Sequence, residues 1–384
     1  MATEVYIVRH GEAEGNLYRR AQGHSNGNLT EMGLRQVELL RKRFKGIHLD
    51  AAYSSDLTRA YMTGRAVCDE RGIEVQQDKN FREMYLGVWE NRPWGEIIRN
   101  YKDDYKNFDR HPYEWRTENA ETYEQAGKRF YDEMMKKAHE HDGQTIAIFA
   151  HGSVIRAMLM LVYSLNPDSL PKEIGHCDNT AITHMYIDGD KITVDYLYDS
   201  EHLGETSTFL RHLPEMEKRN FKVNLWFRPL EAEDEEFYKE CRREAWQLVY
   251  GSLDGYDEEG CWFDVCRVSK NDPDSVAIAL LEDERVGIIQ LDPERYVKKG
   301  HIVFYYMIPK YRGISLGVQL MGYAATYYRE RGRQSLTLRV SDNNTKARGF
   351  YEYYGFKPIA HEDGAFGAGL TMMEKDIRQN TLRG

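Results

Sequence analysis

Three short apolar runs, EVYIV (4–8), AAYSS (51–55) and TIAIFA (145–150), alternate with long amphipathic stretches of helical period. That alternation is the strongest constraint on the fold. Neighbouring parallel strands need long crossovers, and a crossover helix must bury its apolar stripe on the sheet. LTEMGLRQVELLRKRF (29–44) predicts a helix with Thr30 as N-cap and Leu34, Val37, Leu40 and Phe44 on one face. DLTRAYMTGRAVCDE (56–70) and HGSVIRAMLMLVYSL (151–165) predict two more helices. AITHMYIDGDKITVDYLY (181–198) predicts a hairpin turning at Asp188-Gly189. The first half therefore reads as a three-layer α/β/α domain.

At 384 residues the chain exceeds what one typical core supports. HLPEMEKRNFK (212–222) is polar and lacks an apolar stripe, which places a junction there and divides the chain into 1–215 and 222–384. Beyond it a new mixed α/β pattern starts. VNLWFRPL reads as a strand, and EDEEFYKECRREAWQLVYG as a helix with acids in its first turn, where the helix dipole favours them. SVAIALLEDERVGIIQLD reads as two strands turning at Glu282–Glu284, and HIVFYYMI as a third.

The net charge of −10 argues against non-specific binding to nucleic acid or to an anionic membrane surface. Five cysteines, at 68, 177, 241, 261 and 266, form no CxxC pair, which favours reduced thiols in a cytoplasmic protein. The N-terminus reaches strand-like sequence too soon for a signal peptide, and the longest apolar run, AMLMLVY (157–163), is too short for a membrane span.

The strand ends carry the chemistry. The first delivers Arg9-His10-Gly11, the second Ser54-Ser55 and then Arg59, and the third His151-Gly152 at a helix start. Ligands of open parallel sheets bind at the carboxyl ends of the strands, and helix N-termini there suit an anion. Two arginines and two histidines on that edge fit a phosphoryl group, while each alone is also an ordinary surface cation.

VRHGE (8–12), LTEMG (29–33), SSDLTRA (54–60), FREMYLGVWE (81–90) and AHG (150–152) together resemble the histidine phosphatases, the phosphoglycerate mutase-like superfamily. The resemblance implies that His10 attacks phosphorus and carries the phosphoryl group, that Arg9, Arg59 and His151 hold its oxygens, and that Asn16 and Gly152 complete the phosphate pocket. It makes Glu83 the acid that protonates the leaving oxygen and Glu12 a loop-orienting residue. No metal is implied, and no HxH or HExxH spacing occurs. The basic, proline-containing insertion associated with phosphoglycerate mutases is absent. The segment 91–118, rich in Tyr, Trp, Asp and Asn, reads as a lid over a small phosphorylated metabolite. Hydrolysis is favoured over mutase-type transfer and over a catalytically silent regulatory module.

In the second half, IPKYRGISLGVQLMGYAATYYRERG (308–332) is a strand end, a glycine loop and a helix stopped by Gly332, followed by the strand SLTLRVSDNN and the short helix TKARGFYEYYGF closed by Gly355. These features resemble the GNAT N-acetyltransferases. The resemblance implies acetyl-CoA as cofactor and an amine as acceptor. The pyrophosphate would lie on Arg312, Gly313, Ile314, Ser315, Leu316 and Gly317, with Asn344 on the cofactor arm and Tyr351 as acid for the thiolate. Ser315 stands where the family usually has Gly or Ala. No general base is evident; His301 is a candidate.

Overall fold

Strand β1 (Thr3–Arg9) runs through the middle of a six-stranded sheet, and its apolar residues face both ways. Val5 and Ile7 pack into one buried cluster with residues of helices α6 (Tyr123–Glu140) and α7 (Gly152–Tyr163). Tyr6 and Val8 enter a second cluster with residues of α2 (Glu31–Phe44) and α3 (Thr58–Cys68). This alternation along a strand buried on both faces is what makes three layers. β1 pairs parallel with β4 (Thr145–Ala150) and antiparallel with β5 (Ile182–Asp188). β2 (Ala51–Ser54) and β3 (Val75–Gln77) continue the parallel side, and β6 (Lys191–Asp199) closes the expected hairpin with β5. The strand order is β3-β2-β4-β1-β5-β6.

The computed structural model describes residues 1–163, 174–208 and 223–379. Within it the chain divides into two compact units, one in residues 1–221 and the other in residues 222–378. The junction expected at 212–222 lies outside the described residues.

Helix α2 begins as the sequence predicts, with Thr30 accepting from the Gly33 amide. One expectation fails. Leu34 is 48% exposed, and Gln36 is buried in its place beside Gly33, Val37, Leu40 and Phe44. At about 100° per residue, Leu34 lies roughly 100° from the mean direction of those buried positions. Gln36 is worth burying because its amide is fully used: Oε1 accepts from Glu12 N at 2.8 Å, and Nε2 donates to Thr206 O at 2.9 Å. The segment 91–118 forms two short helices, α4 (Trp94–Asn100) and α5 (Lys102–Arg110). Its rings point into the core, where Phe108 and the fully buried Trp115 pack at 5.6 and 5.2 Å from Trp89. The aromatic residues that suggested a lid anchor the segment instead.

The second unit holds a seven-stranded sheet in the order β12-β13-β11-β10-β9-β8-β7. These strands are β7 (Trp226–Pro229), β8 (Val276–Leu281), β9 (Glu284–Asp292), β10 (Lys299–Met307), β11 (Ser335–Ser341), β12 (Lys357–Asp363) and β13 (Gly369–Asp376). Only β10 and β11 are parallel neighbours, and their pairing stops at Ile302–Leu338 while β10 runs on to Met307. Helices α8 (Glu235–Tyr250), α9 (Glu258–Asn271), α10 (Val318–Glu330) and α11 (Thr345–Tyr353) complete the unit. Gly332 and Gly355 follow α10 and α11 at φ +70 and +88, where glycine is unstrained.

Candidate active sites

The carboxyl ends of β1 and β4 and the first turn of α3 bring Arg9, His10, His151 and Arg59 together. His10 is 4% exposed, and its Nδ1 lies 2.7 Å from Gly11 O. A carbonyl only accepts, so Nδ1 carries the hydrogen and Nε2 keeps its lone pair. Burial, with the charges of Arg59 and Arg9 behind it, holds the His10 pKa well below the usual imidazole range, against the opposing Gly11 bond. The ring is therefore neutral. His151 is fully buried with its ring centroid 5.1 Å from that of His10, and burial and Arg59 depress its pKa as well.

Arg59 spends the outer edge of its guanidinium on carbonyls: Ser25 O at 3.0 Å and Gly23 O at 2.8 Å. Burial lowers it to about 10. Arg9 donates from Nη1 to the Cys177 carbonyl. Arg9 Nε, Arg59 Nε and both nitrogens of His151 remain buried with no partner. Buried N–H groups are rarely left this way, because each forfeits its hydration. Their concentration around a neutral imidazole marks a site shaped for an anion.

Asn16, on α1 (Glu14–Leu17), accepts at Oδ1 from Ala13 N at 3.0 Å and from Asn179 Nδ2 at 3.4 Å. A Cβ on Gly152 would stand 3.3 Å from Arg9 Nε, so glycine keeps room for that guanidinium. Glu12 accepts from Thr30 Oγ1 at 2.7 Å, which ties the His10 loop to the N-cap of α2.

Glu83 is buried, and its carboxylate caps α7: Val154 N and Ser153 N donate to Oε1 and Oε2 at 2.8 and 3.1 Å, and Met84 N donates to Oε1 at 2.9 Å. The sequence reading offers this helix N-terminus to the phosphate, yet those two amides are already engaged by Glu83. A cavity of about 510 Å³ opens nearby, bounded by His24, Tyr85, Asn119, Ala120, Glu121 and Gln125; His24 Nε2 lies 2.8 Å from Glu83 O.

Sequence reasoning misses Asn179. Its Nδ2 donates to His10 O at 3.0 Å as well as reaching Asn16. The usable signal was the hairpin: once β5 pairs Val8 with Ile182, the residues just before β5 must lie beside the end of β1.

In the second unit the loop before α10 has an open backbone. Among the described residues, none of the N–H groups of residues 313–317 donates a hydrogen bond. Gly313 and Ser315 both have positive φ, at +75 and +61. For serine this costs about 1–2 kcal/mol, part of which glycine would return through a freer unfolded chain. Ser315→Gly is therefore expected to stabilise this unit by about 0.5–1 kcal/mol, read as a higher denaturation midpoint; a lower midpoint would contradict the strain.

The Arg312 guanidinium is engaged elsewhere, with Nε donating to Met307 O at 2.7 Å and Nη2 3.0 Å from Glu244 Oε1. Asn344 caps α11, accepting from Ala347 N at 3.1 Å. Tyr351 is buried, and burial alone pushes its phenol pKa up. His301 is 3% exposed, bonded to Thr337 Oγ1 at 3.0 Å and lowered to about 4 by burial. That position is structural and does not suit a base that must meet an amine.

Residues 5–200 match the family described as the histidine phosphatase superfamily (branch 1), which is half of the chain. The chain belongs to that superfamily. Residues 230–356 match the acetyltransferase (GNAT) family, so a histidine phosphatase domain is joined here to a GNAT domain. The histidine phosphatase domain is similar to putative phosphoserine phosphatase 2 of Hydrogenobacter thermophilus, 31% identical over 195 residues, covering 50% of this chain and 94% of that protein. It is also similar to phosphoglycerate mutase-like protein 4 of Arabidopsis thaliana, 29% identical over 211 residues, covering 53% and 88%. Among solved structures, Bacillus stearothermophilus YhfR is 29% identical with a TM-score of 0.51, over 52% of this chain and 99% of that one.

Proposed function

We propose that the histidine phosphatase domain hydrolyses a small phosphomonoester through a phosphohistidine on His10, and that the GNAT domain transfers an acetyl group to an amine. The observation that carries the first reading is the set of unpartnered nitrogens of Arg9, Arg59 and His151 around a neutral His10 whose Nδ1 is already committed to Gly11. Nε2 attacks phosphorus and the ester P–O bond breaks. Glu83 gives the leaving oxygen a proton. The guanidiniums and His151 hold the non-bridging oxygens, where charge develops; such donors contribute about 3–4 kcal/mol each. Water then attacks the phosphohistidine, Glu83 takes back a proton, and the P–N bond breaks to return neutral His10.

Hydrolysis is favoured over transfer to a second hydroxyl because the sequence lacks the basic, proline-containing insertion associated with phosphoglycerate mutases. The test is turnover in ¹⁸O-labelled water on a panel headed by phosphoserine, the ester in the name of the Hydrogenobacter relative. We expect ¹⁸O in the released phosphate; a phosphoryl group that reappears on another hydroxyl would establish a mutase.

In the GNAT domain, acetyl-CoA supplies the activated acetyl group. The free amides of residues 313–317 suit its pyrophosphate. Tyr351 keeps its proton because burial disfavours the phenolate, and so can deliver it to a departing thiolate.

A further inference from the structure

Arg312 directly precedes the open loop of the GNAT domain, yet its guanidinium is turned to α8. Nη2 lies 3.0 Å from Glu244 Oε1, and the group rests over the Tyr306 ring, 5.0 Å from its centroid. Glu244 Oε2 in turn accepts from the Tyr306 hydroxyl, so carboxylate, guanidinium and phenol close a triangle. The amides of residues 313–317, next in the chain, donate to nothing among the described residues. The pair has the character of one that can part. Its side chains are 39% and 36% exposed, so water can replace either partner and the pair is worth little. Asp234 in the same unit shows the contrast: it is fully buried and holds Arg228 and Arg285 at 2.6 and 2.7 Å, where no such exchange with water is open. If Arg312 left, Glu244 would keep the Tyr306 hydroxyl. Burial and the bond to Glu244 both raise that phenol, which holds its proton and can go on donating. Arg312 is joined to Gly313, so new side-chain rotamers alone can carry its charge to an anion on the loop.

We propose that Arg312 is exchanged between Glu244 and the cofactor's pyrophosphate, which makes Glu244 a positioning residue that holds the cation off the loop and limits how tightly the cofactor binds. The proposal rests on the acetyl-CoA reading above. Two anions compete for one guanidinium. The pyrophosphate carries more charge than one carboxylate and offers the arginine fork a pair of oxygens beside the open amides, so it takes the cation when it arrives. Part of its binding energy is then spent on parting Arg312 from Glu244.

The test is calorimetric titration of the full chain with CoA and with 3′-dephospho-CoA, which share the pyrophosphate. Glu244→Gln should tighten both about two- to five-fold, the worth of a half-exposed ion pair that no longer has to be broken. Arg312→Gln should weaken both about five-fold or more. On the Arg312→Gln background, Glu244→Gln should gain less than about two-fold. An equal gain on both backgrounds would show plain repulsion between Glu244 and the pyrophosphate and overturn the exchange, as would an unchanged affinity in Glu244→Gln. A gain confined to CoA would put Arg312 on the 3′-phosphate and overturn it too. If Arg312→Gln does not fold, Glu244→Asp decides, because it keeps the charge but is one methylene shorter and loses its hold on Arg312. Tighter binding in Glu244→Asp supports the exchange, and unchanged or weaker binding overturns it. No CoA binding by the wild type would remove the acetyl-CoA reading and the exchange together, whereas CoA binding without these differences would remove the exchange alone.

Discussion

His10→Ala is expected to lower phosphate release by on the order of 10⁴-fold or more, the scale seen when a covalent nucleophile is removed. The wild type should form an acid-labile phosphoenzyme detectable by ³¹P NMR or alkaline quench, and the variant should not. The neighbouring imidazole offers no rescue. His151 is just as buried and lies within 5.1 Å, ring to ring, yet no carbonyl fixes which of its nitrogens keeps the lone pair. His10 has that restraint from Gly11 O, and its lone pair is therefore presented on one known atom. Equal rates from wild type and His10→Ala would discard the mechanism.

Gly33→Ala should act almost as severely, from a residue with no chemistry of its own. A Cβ at Gly33 would stand 2.0 Å from Glu12 O and 3.0 Å from Glu12 C. Both are backbone atoms of the loop that carries His10, so no flexible side chain can yield. The same turn holds the loop through Thr30, whose N–H donates to Glu12 O at 2.9 Å and whose hydroxyl donates to the Glu12 carboxylate. Overpacking against backbone costs about 3 kcal/mol, and moving the nucleophile by about 1 Å costs about 10²-fold in rate. Thermal unfolding and kcat/KM of Gly33→Ala check both. An unchanged midpoint with an unchanged rate would show that the loop yields freely.

The glycine in LTEMG, the Thr30 cap, the strand ends and the hairpin were legible because each is written within a few consecutive residues. The contacts of Glu83 were less so. Its residue type was readable, but its place as the cap of α7 depends on how residues 81–90 cross the start of a helix some seventy positions later. The bonds of Asn179 to His10 and Asn16 were illegible for the same reason, since Asn179 belongs to no local pattern. Leu34 shows the converse limit. It is apolar and near the right spacing, but Gln36 had three partners waiting, and a satisfied amide can take an interior position. In the GNAT domain the loop at 312–317 was readable from its glycines and the following stripe. The engagement of Arg312 by Glu244 was not, because it depends on a helix more than sixty residues earlier.

Inorganic phosphate offers the same non-bridging oxygens as the ester from which it is released. On the proposed reading, the unsatisfied nitrogens of Arg9, Arg59 and His151 would make no distinction between them. In the proposed cycle the product therefore competes with the substrate for the site, and a phosphate-rich medium would slow turnover while protecting the domain against heat.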